Sequence, residues 1–328
     1  MIRSKYILLI LVGLLSIIHA SAKKPAKPAP LTTEQKQQFA YYWYAARQAI
    51  TDERYADALV LLDFCEQINP QDGETLDALG VIYDALGNSD KALSYFHRAN
   101  EASPRDQWEH YSNALLEQKT DDSRYEARRV MEKALKMNPK DEHLLEHLRH
   151  FYLNEPGEWR NVIKMQDRLD ALRGRDAFST FMRVQAYSMG HKPKKAIAEI
   201  DKYLQEEPNN WDFLYMRLDI MRRTKTKPKE FFHIYEHILE YYPHNLSILN
   251  NYAYLLATTG GDLKKAERMS LETIQAEPNN PVYLDTYAWI LHLQGQDDLA
   301  LFYLRKAQWL ADKDTRKEID EHIRLIKK

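Results

Sequence analysis

Small and apolar residues recur along the chain in sets of three, at intervals of 34, 35 or, once, 69 residues. Within a set the positions are separated by four and then three residues, so they share one face of an α-helix. Small residues at the first and third positions let neighbouring helices approach closely. The pattern predicts an all-α fold of repeated helices. The sets are Ala58/Leu62/Cys65, Ala92/Phe96/Ala99, Ala127/Met131/Ala134, Ala196/Ile200/Tyr203, Phe231/Tyr235/Ile238, Ala266/Ser270/Thr273 and Ala300/Leu304/Ala307.

Prolines follow these helical faces with the same period. Because proline cannot continue a helix and disfavours helical backbone in the residue before it, each one predicts the end of a repeat. The slot is vacant once, near Arg173 and Gly174. The prolines are Pro70, Pro104, Pro139, Pro208, Pro243 and Pro278.

The two periodicities together predict eight repeats within residues 34–314. The fourth, at 142–175, is degenerate: Asn161 replaces the alanine, Arg168 replaces the second small residue, and no proline follows. We therefore expect it to be the softest part of the array. The predicted boundaries are 39–72, 73–106, 107–141, 142–175, 176–210, 211–245, 246–280 and 281–314.

The second repeat, Gly73–Asp106, carries the most specific motif. Its Leu76, Leu79-Gly80, Tyr83, Gly87, Ala92, Phe96, Ala99 and Pro104 resemble the tetratricopeptide repeat (TPR) consensus. The eighth repeat matches nearly as well. The resemblance implies a right-handed α-solenoid of about eight TPR helical hairpins. Such an array needs a terminal cap, and residues 315–328, with Ile319, Ile323 and Ile326 on one face, are predicted to supply it.

Composition narrows the range of partners. The chain has 328 residues, 44 % of them hydrophobic, and a formal charge of −2. A packed core is therefore expected, whereas the large basic field of a nucleic-acid-binding protein is not. The expected partner is a protein or peptide.

Residues 1–22 are typical of a secretory signal peptide. Arg3 and Lys5 precede an apolar run from Tyr6 to Ile18, and Ala20-Ser21-Ala22 provides a small-x-small cleavage site. The alternative is a membrane anchor, for which the run is short. A Lys/Pro/Ala linker at 23–33 is predicted to follow. We expect an exported protein of the periplasm or extracytoplasmic envelope, with a membrane-associated complex as one possible setting.

Cys65 is the only cysteine and occupies a small-residue packing position. No disulfide within one chain can form. The expected role of Cys65 is that of a buried structural residue.

One string suggests catalysis. His143, Glu146 and His147 form an H-x-x-E-H pattern like that of some metalloproteases, and His150 lies one turn further along. A metal-dependent hydrolase is therefore the alternative function. The same pattern occurs again at His233–His237, which favours chance recurrence in polar helices. No cofactor-binding motif is found, and His143, His147 and His150 remain weak metal candidates.

The TPR resemblance implies a different kind of site. In that family, the first helix of each repeat, helix A, lines a concave groove that holds peptides. The groove has few suitably placed cations, which argues against a carboxylate-clamp role. The alternative for each residue is packing inside the array. The candidate groove residues are Trp43, Tyr44, Arg47, Asp77, Tyr215, Asp219, Asn250, Asn251, Tyr254, Asp285, Trp289 and His292.

These observations predict a non-enzymatic interaction scaffold that captures a partner segment in the groove. A structural spacer within an envelope complex is the third interpretation.

Overall fold

The computed structural model describes residues 30–224 and 226–327. Over those ranges it contains seventeen α-helices, one short 3₁₀ helix and no strand. The predicted all-α repeat fold is confirmed. The helices form two compact units, which divide between Pro139 and Lys140.

The N-terminal unit contains three helical hairpins. In each, the first helix packs along the second, and the second helices of the first two hairpins also contact the first helix of the hairpin that follows. The six helices are α1 (Thr33–Thr51), α2 (Tyr55–Ile68), α3 (Gly73–Ala85), α4 (Ser89–Ala102), α5 (Glu109–Glu117) and α6 (Asp121–Met137).

The C-terminal unit continues the same arrangement through five hairpins and a last single helix. A 3₁₀ turn at Pro228–Glu230 precedes α12. The helices are α7 (Glu142–Leu153), α8 (Trp159–Arg173), α9 (Ala177–Met189), α10 (Pro193–Leu204), α11 (Trp211–Arg223), α12 (Phe231–Tyr241), α13 (Leu246–Thr258), α14 (Leu263–Ala276), α15 (Pro281–Leu293), α16 (Asp297–Leu310) and α17 (Lys313–Ile326).

The face predicted from the sequence is the packed face. Every alanine in the first position of a set is buried, as are Leu62, Met131 and Ile200 in the second position. Tyr203 is the exception, since it is only half-buried. Burying these stripes is the main stabilising contribution that a hairpin obtains from its neighbours.

After five of the six periodic prolines, the residue two places further on caps the next helix; Pro104 is the exception, because α5 has no side-chain cap. Asp72, Asp141, Asn210, Asn245 and Asn280 each accept a backbone N–H bond from the first turn of the next helix A. A side-chain N-cap of this kind is worth about 1 kcal/mol. At these junctions the Pro-x-Asp/Asn segment therefore ends one repeat and starts the next.

The fourth repeat has glycine near the slot that proline occupies in six other repeats. Gly174 ends α8 with φ 86°, a left-handed conformation that glycine adopts without strain. Asp176 then caps α9 through the backbone N–H of Ser179. The junction is preserved with different residues.

The last helix packs on α15 and α16 and buries Ile319 and Ile323. It begins at Lys313 because the Asp312 side chain accepts from the backbone of Asp314 and Thr315. Ile326 is half-buried and packs against the same apolar core as Ile319 and Ile323.

The predicted signal peptide and most of the linker, residues 1–29, lie outside the described residues. Among the helices that are described, none is both long enough and apolar enough to cross a membrane.

Candidate partner-binding face

The candidate residues of the first repeat differ in accessibility. Trp43 is half-buried and packs against the core of the N-terminal unit, with its ring stacked on Phe39 at 6.4 Å between centroids. Tyr44 is 69 % exposed, and Arg47 is also exposed. Tyr44 and Arg47 are thus available to a partner, whereas Trp43 mainly supports the helix that carries them.

Asp77, on α3, is engaged by a neighbouring helix. His110 Nδ1, on α5, lies 2.9 Å from both Asp77 carboxylate oxygens. The hydrogen bond to Asp77 raises the pKa of the His110 imidazole although burial opposes it. This candidate acid therefore ties two adjacent A helices together.

The first H-x-x-E-H string lies on α7. The His143 and His147 rings meet edge to face at 4.3 Å between centroids, and Glu146 accepts from Arg173 Nη1, on α8, at 2.7 Å. His150 does not join the other two histidines in a three-ligand cluster among the described residues.

The second string, on α12, is used in the same way. Glu236 accepts from Lys265 Nζ at 2.8 Å and from the Tyr252 hydroxyl at 2.9 Å. These hydrogen bonds, that from Lys265 first, hold the pKa of the Glu236 carboxyl below its ordinary value. In both strings the glutamate forms an ion pair with a cation of another helix and so links the two helices.

A cleft opens between α9 and α11, two A helices of the C-terminal unit. Its volume is about 590 Å³, within the size range of ligand pockets. Val184, Met216 and Ile220 supply apolar lining. The remaining lining is mostly polar and comprises Gln185, Ser188, His191, Lys192, Pro193, Asp219, Arg223 and Thr224.

Two of the candidate residues belong to this region. Asp219 lines the cleft and pairs with Arg223 at 3.0 Å, one turn along α11. Tyr215 is 46 % exposed, and its ring stacks on Trp211 at 5.8 Å. The cleft therefore combines an apolar lining with one carboxylate and an exposed aromatic ring close by on the same helix.

Further along, α13, α15 and α17 pack side by side. Asn250 is buried, and its Oδ1 has no hydrogen-bond partner within the described residues. Asn251 and Tyr254 are half-buried. Burial raises the pKa of the Tyr254 hydroxyl, and the nearby carboxylates of Glu318 and Asp285 raise it further.

Asp285 and Trp289, both on α15, contact the last helix. Asp285 Oδ1 lies 2.9 Å from His322 Nδ1, and both residues are 7 % exposed. The Trp289 ring stacks on the His322 ring at 4.3 Å between centroids, and the His292 ring lies tilted against the same Trp289 ring at 5.1 Å. His292 in turn pairs with Asp297 at 2.7 Å.

The structure thus brings Tyr254, Asp285 and Trp289 to one region but encloses much of it. His322 and Glu318, which the sequence analysis did not select, complete the cluster from α17. Their spacing of four residues on a helix was the available signal, but nothing in the sequence indicated which helix they would face.

Comparison with known proteins identifies one repeat directly. Residues 73–106 match the family model described as tetratricopeptide repeat. This segment contains α3 and α4 and is the repeat that carries the most specific motif. A comparison with curated proteins found no match.

Several solved structures resemble the chain at low identity. A tetratricopeptide repeat protein from Parabacteroides merdae is 12 % identical, with 89 % of this chain and 100 % of that chain covered and a TM-score of 0.43. The C-terminal part of a TPR repeat-containing protein from Cytophaga hutchinsonii is 18 % identical, with 75 % and 98 % covered and a TM-score of 0.48. The P58(IPK) TPR domain is 13 % identical, with 88 % and 98 % covered and a TM-score of 0.30.

Proposed function

We propose that this chain, a member of the tetratricopeptide repeat family, is a non-enzymatic scaffold of the cell envelope that binds a segment of a partner protein. Binding of protein partners is the general role that the TPR fold supports. The binding surface is the helix-A side of the C-terminal unit. The observation that carries the proposal is the cleft of about 590 Å³ between α9 and α11.

The cleft suits a peptide with an apolar anchor side chain. Val184, Met216 and Ile220 offer it apolar contact, and the surrounding polar groups can hydrogen-bond the peptide backbone. An apolar centre with a polar rim is the usual anatomy of a protein interface. Tyr215, exposed on the same helix, adds aromatic contact area of the kind that dominates interface energies.

In the part of the chain that the structure describes, the geometry does not favour a metal-dependent hydrolase. A general base must be within reach of the proton that it removes. Glu146 and Glu236 are instead both paired with a cation of a neighbouring helix, Arg173 and Lys265 respectively. The two histidine strings therefore have a common structural explanation.

The partner can be trapped with a photoreactive amino acid at Gln185, which is exposed and lines the cleft. We expect a protein adduct in native envelopes from that position. The same amino acid at Lys264, exposed on α14, is the control. The trapped segment is then made as a peptide and its affinity for the purified chain is measured by calorimetry.

Two matched truncations test the cleft with this peptide. Met216→Ala removes a cleft contact and should weaken binding by about 1–2 kcal/mol. Met137→Ala, at a side chain 52 % exposed on α6, should leave it unchanged. Helical circular dichroism must be the same in both variants. Full affinity of a folded Met216→Ala variant, or equal crosslinking from Lys264, would show that the cleft is not the binding surface.

A further inference from the structure

Three metal-ligating side chains converge where α15 meets α17. Asp285 comes from α15, and Glu318 and His322 come from successive turns of α17. One ligand atom of each lies within 4.8 Å of those of the other two. Asp285 and His322 are buried, and Glu318 is exposed. The cluster is therefore open to solvent on one side only.

Packing holds these donors in place. Ile319 and Ile323, the neighbours of Glu318 and His322 in sequence, are buried against the core of the C-terminal unit and fix the rotation of α17. The Trp289 ring lies nearly parallel to the His322 imidazole, at 23° and 4.3 Å. A site whose ligands are oriented by surrounding contacts loses less entropy when it binds a metal.

Within the described residues, His322 is the only basic side chain that forms an ion pair with the carboxylates of this cluster. Two carboxylates, Asp285 and Glu318, face one imidazole and the Tyr254 hydroxyl. Among the described residues, no lysine or arginine forms an ion pair with either carboxylate. Buried acids are normally paired or coordinate a metal, and Asp285 is paired here with His322, a group that can itself ligate a metal ion.

We propose that Asp285, Glu318 and His322 form a binding site for one divalent transition-metal ion, with Zn²⁺ as the expected occupant. An imidazole nitrogen with two carboxylate oxygens is a donor set that suits zinc, whereas Mg²⁺ and Ca²⁺ prefer oxygen ligands alone. Three protein ligands leave a fourth position on the exposed side, next to Glu318. The ion would join α17 to α15 and hold the last helix on the array. The site does not depend on the proposed partner-binding function.

The first test uses metal ions alone and the purified, metal-stripped chain. Titration with Zn²⁺ in a calorimeter should give one tight site, and Mg²⁺ and Ca²⁺ should give no comparable heat. Glu318→Gln should weaken zinc binding by about tenfold or more without disturbing the fold, because Glu318 is exposed. Glu321→Gln, three residues along the same helix, is the matched control and should bind zinc normally.

A second readout locates the ion. Co²⁺ is a spectroscopic substitute for zinc that also quenches nearby tryptophan fluorescence. Quenching should be largely lost in Trp289→Phe, because Trp289 stacks on His322. Trp309→Phe, at a side chain 81 % exposed on α16, should retain it.

The proposal is overturned if the wild-type chain binds no zinc, or if Glu318→Gln binds it as tightly as the wild type. It is equally overturned if a His143→Gln/His147→Gln double variant, and not Glu318→Gln, abolishes binding. In that case the metal belongs to the histidine string of α7.

Discussion

Asp170 Oδ2, on α8, accepts hydrogen bonds from both Nε and Nη2 of Arg183, on α9, at 3.1 and 2.6 Å. The two side chains are 8 % and 9 % exposed. Gln166 and Ser179 donate to the other oxygen of the same carboxylate. Burial would raise the pKa of the Asp170 carboxyl, but these hydrogen bonds lower it below its ordinary value. The fourth repeat is thereby locked to the fifth.

Asp170→Asn should destabilise the C-terminal unit by about 3 kcal/mol, because it removes the buried counter-charge of Arg183 and leaves only the exposed carboxylate of Asp167 as its partner. Asp167→Asn is the matched control. Asp167 pairs with the same Arg183 nitrogen at 2.6 Å but is 58 % exposed, so its loss should cost less than about 1 kcal/mol. Urea unfolding followed by circular dichroism measures both changes. Equal effects would mean that burial does not determine the strength of this contact.

The contact between Asp77 and His110 should make the stability of the N-terminal unit depend on pH. The hydrogen bond to Asp77, together with the negative charges of Asp77, Glu109 and Asp84, raises the pKa of the His110 imidazole above its ordinary value. The stabilisation is complete below the unfolded pKa and is lost as pH rises through the folded pKa. The stability difference between wild type and Asp77→Asn should therefore shrink from about pH 5 to about pH 9.

Unfolding at several pH values measures this difference, and an NMR titration of the His110 ring gives its pKa directly. His97→Gln is the control. His97 Nδ1 lies 3.9 Å from the Glu101 carboxylate, and both side chains are exposed, so this pair should contribute little to stability. If the difference in unfolding free energy between wild type and Asp77→Asn stays constant with pH, titration of His110 does not cause it.

Gly80 should not tolerate a methyl group. A Cβ at this position would lie 2.5 Å from the Phe96 ring. Gly→Ala inside a helix ordinarily stabilises by about 0.5–1 kcal/mol, but here we expect a loss of about 1–3 kcal/mol through overpacking. The loss should be smaller in a Phe96→Leu background. Additive effects in this double-mutant cycle would contradict a direct contact.

Export predicts a shortened chain. If residues 1–22 are a signal peptide, protein recovered from the envelope should begin near Lys23. Intact-mass spectrometry of the exported protein measures this. Replacing Ala20 and Ala22 with bulky residues should leave the precursor uncleaved. An exported protein that retains Met1 would rule out cleavage at this site.

The periodic pattern was sufficient to predict the helices. Alanines three or four residues from a large apolar residue, as at Ala92 and Phe96, define a buried face whatever the surrounding surface residues are. The match of residues 73–106 to a family model falls on the repeat with the most complete set of these positions. Local spacing therefore carries most of the information about this fold.

The sequence was less informative about interactions between repeats. The expected softness of the fourth repeat rests on missing consensus residues and stays a prediction, whereas the contact between Asp170 and Arg183 is one that no local spacing reveals. Asp285 was selected as a groove residue, yet it is buried against His322, 37 positions away. Such pairs depend on how consecutive hairpins rotate against each other, which a single repeat does not specify.

Chemical labelling of Cys65 reports the separation of α2 from the core of the N-terminal unit. Its side chain is fully buried on α2, and burial raises the pKa of the thiol to about 11. At neutral pH the group is therefore neutral as well as enclosed, and only the thiolate reacts with common reagents. Because it is the sole cysteine in the chain, each labelled molecule is one whose second helix has come away from the core at least once. The fraction of chains labelled at Cys65, measured by mass over time, therefore reports how often α2 separates from the core. This measurement needs no partner.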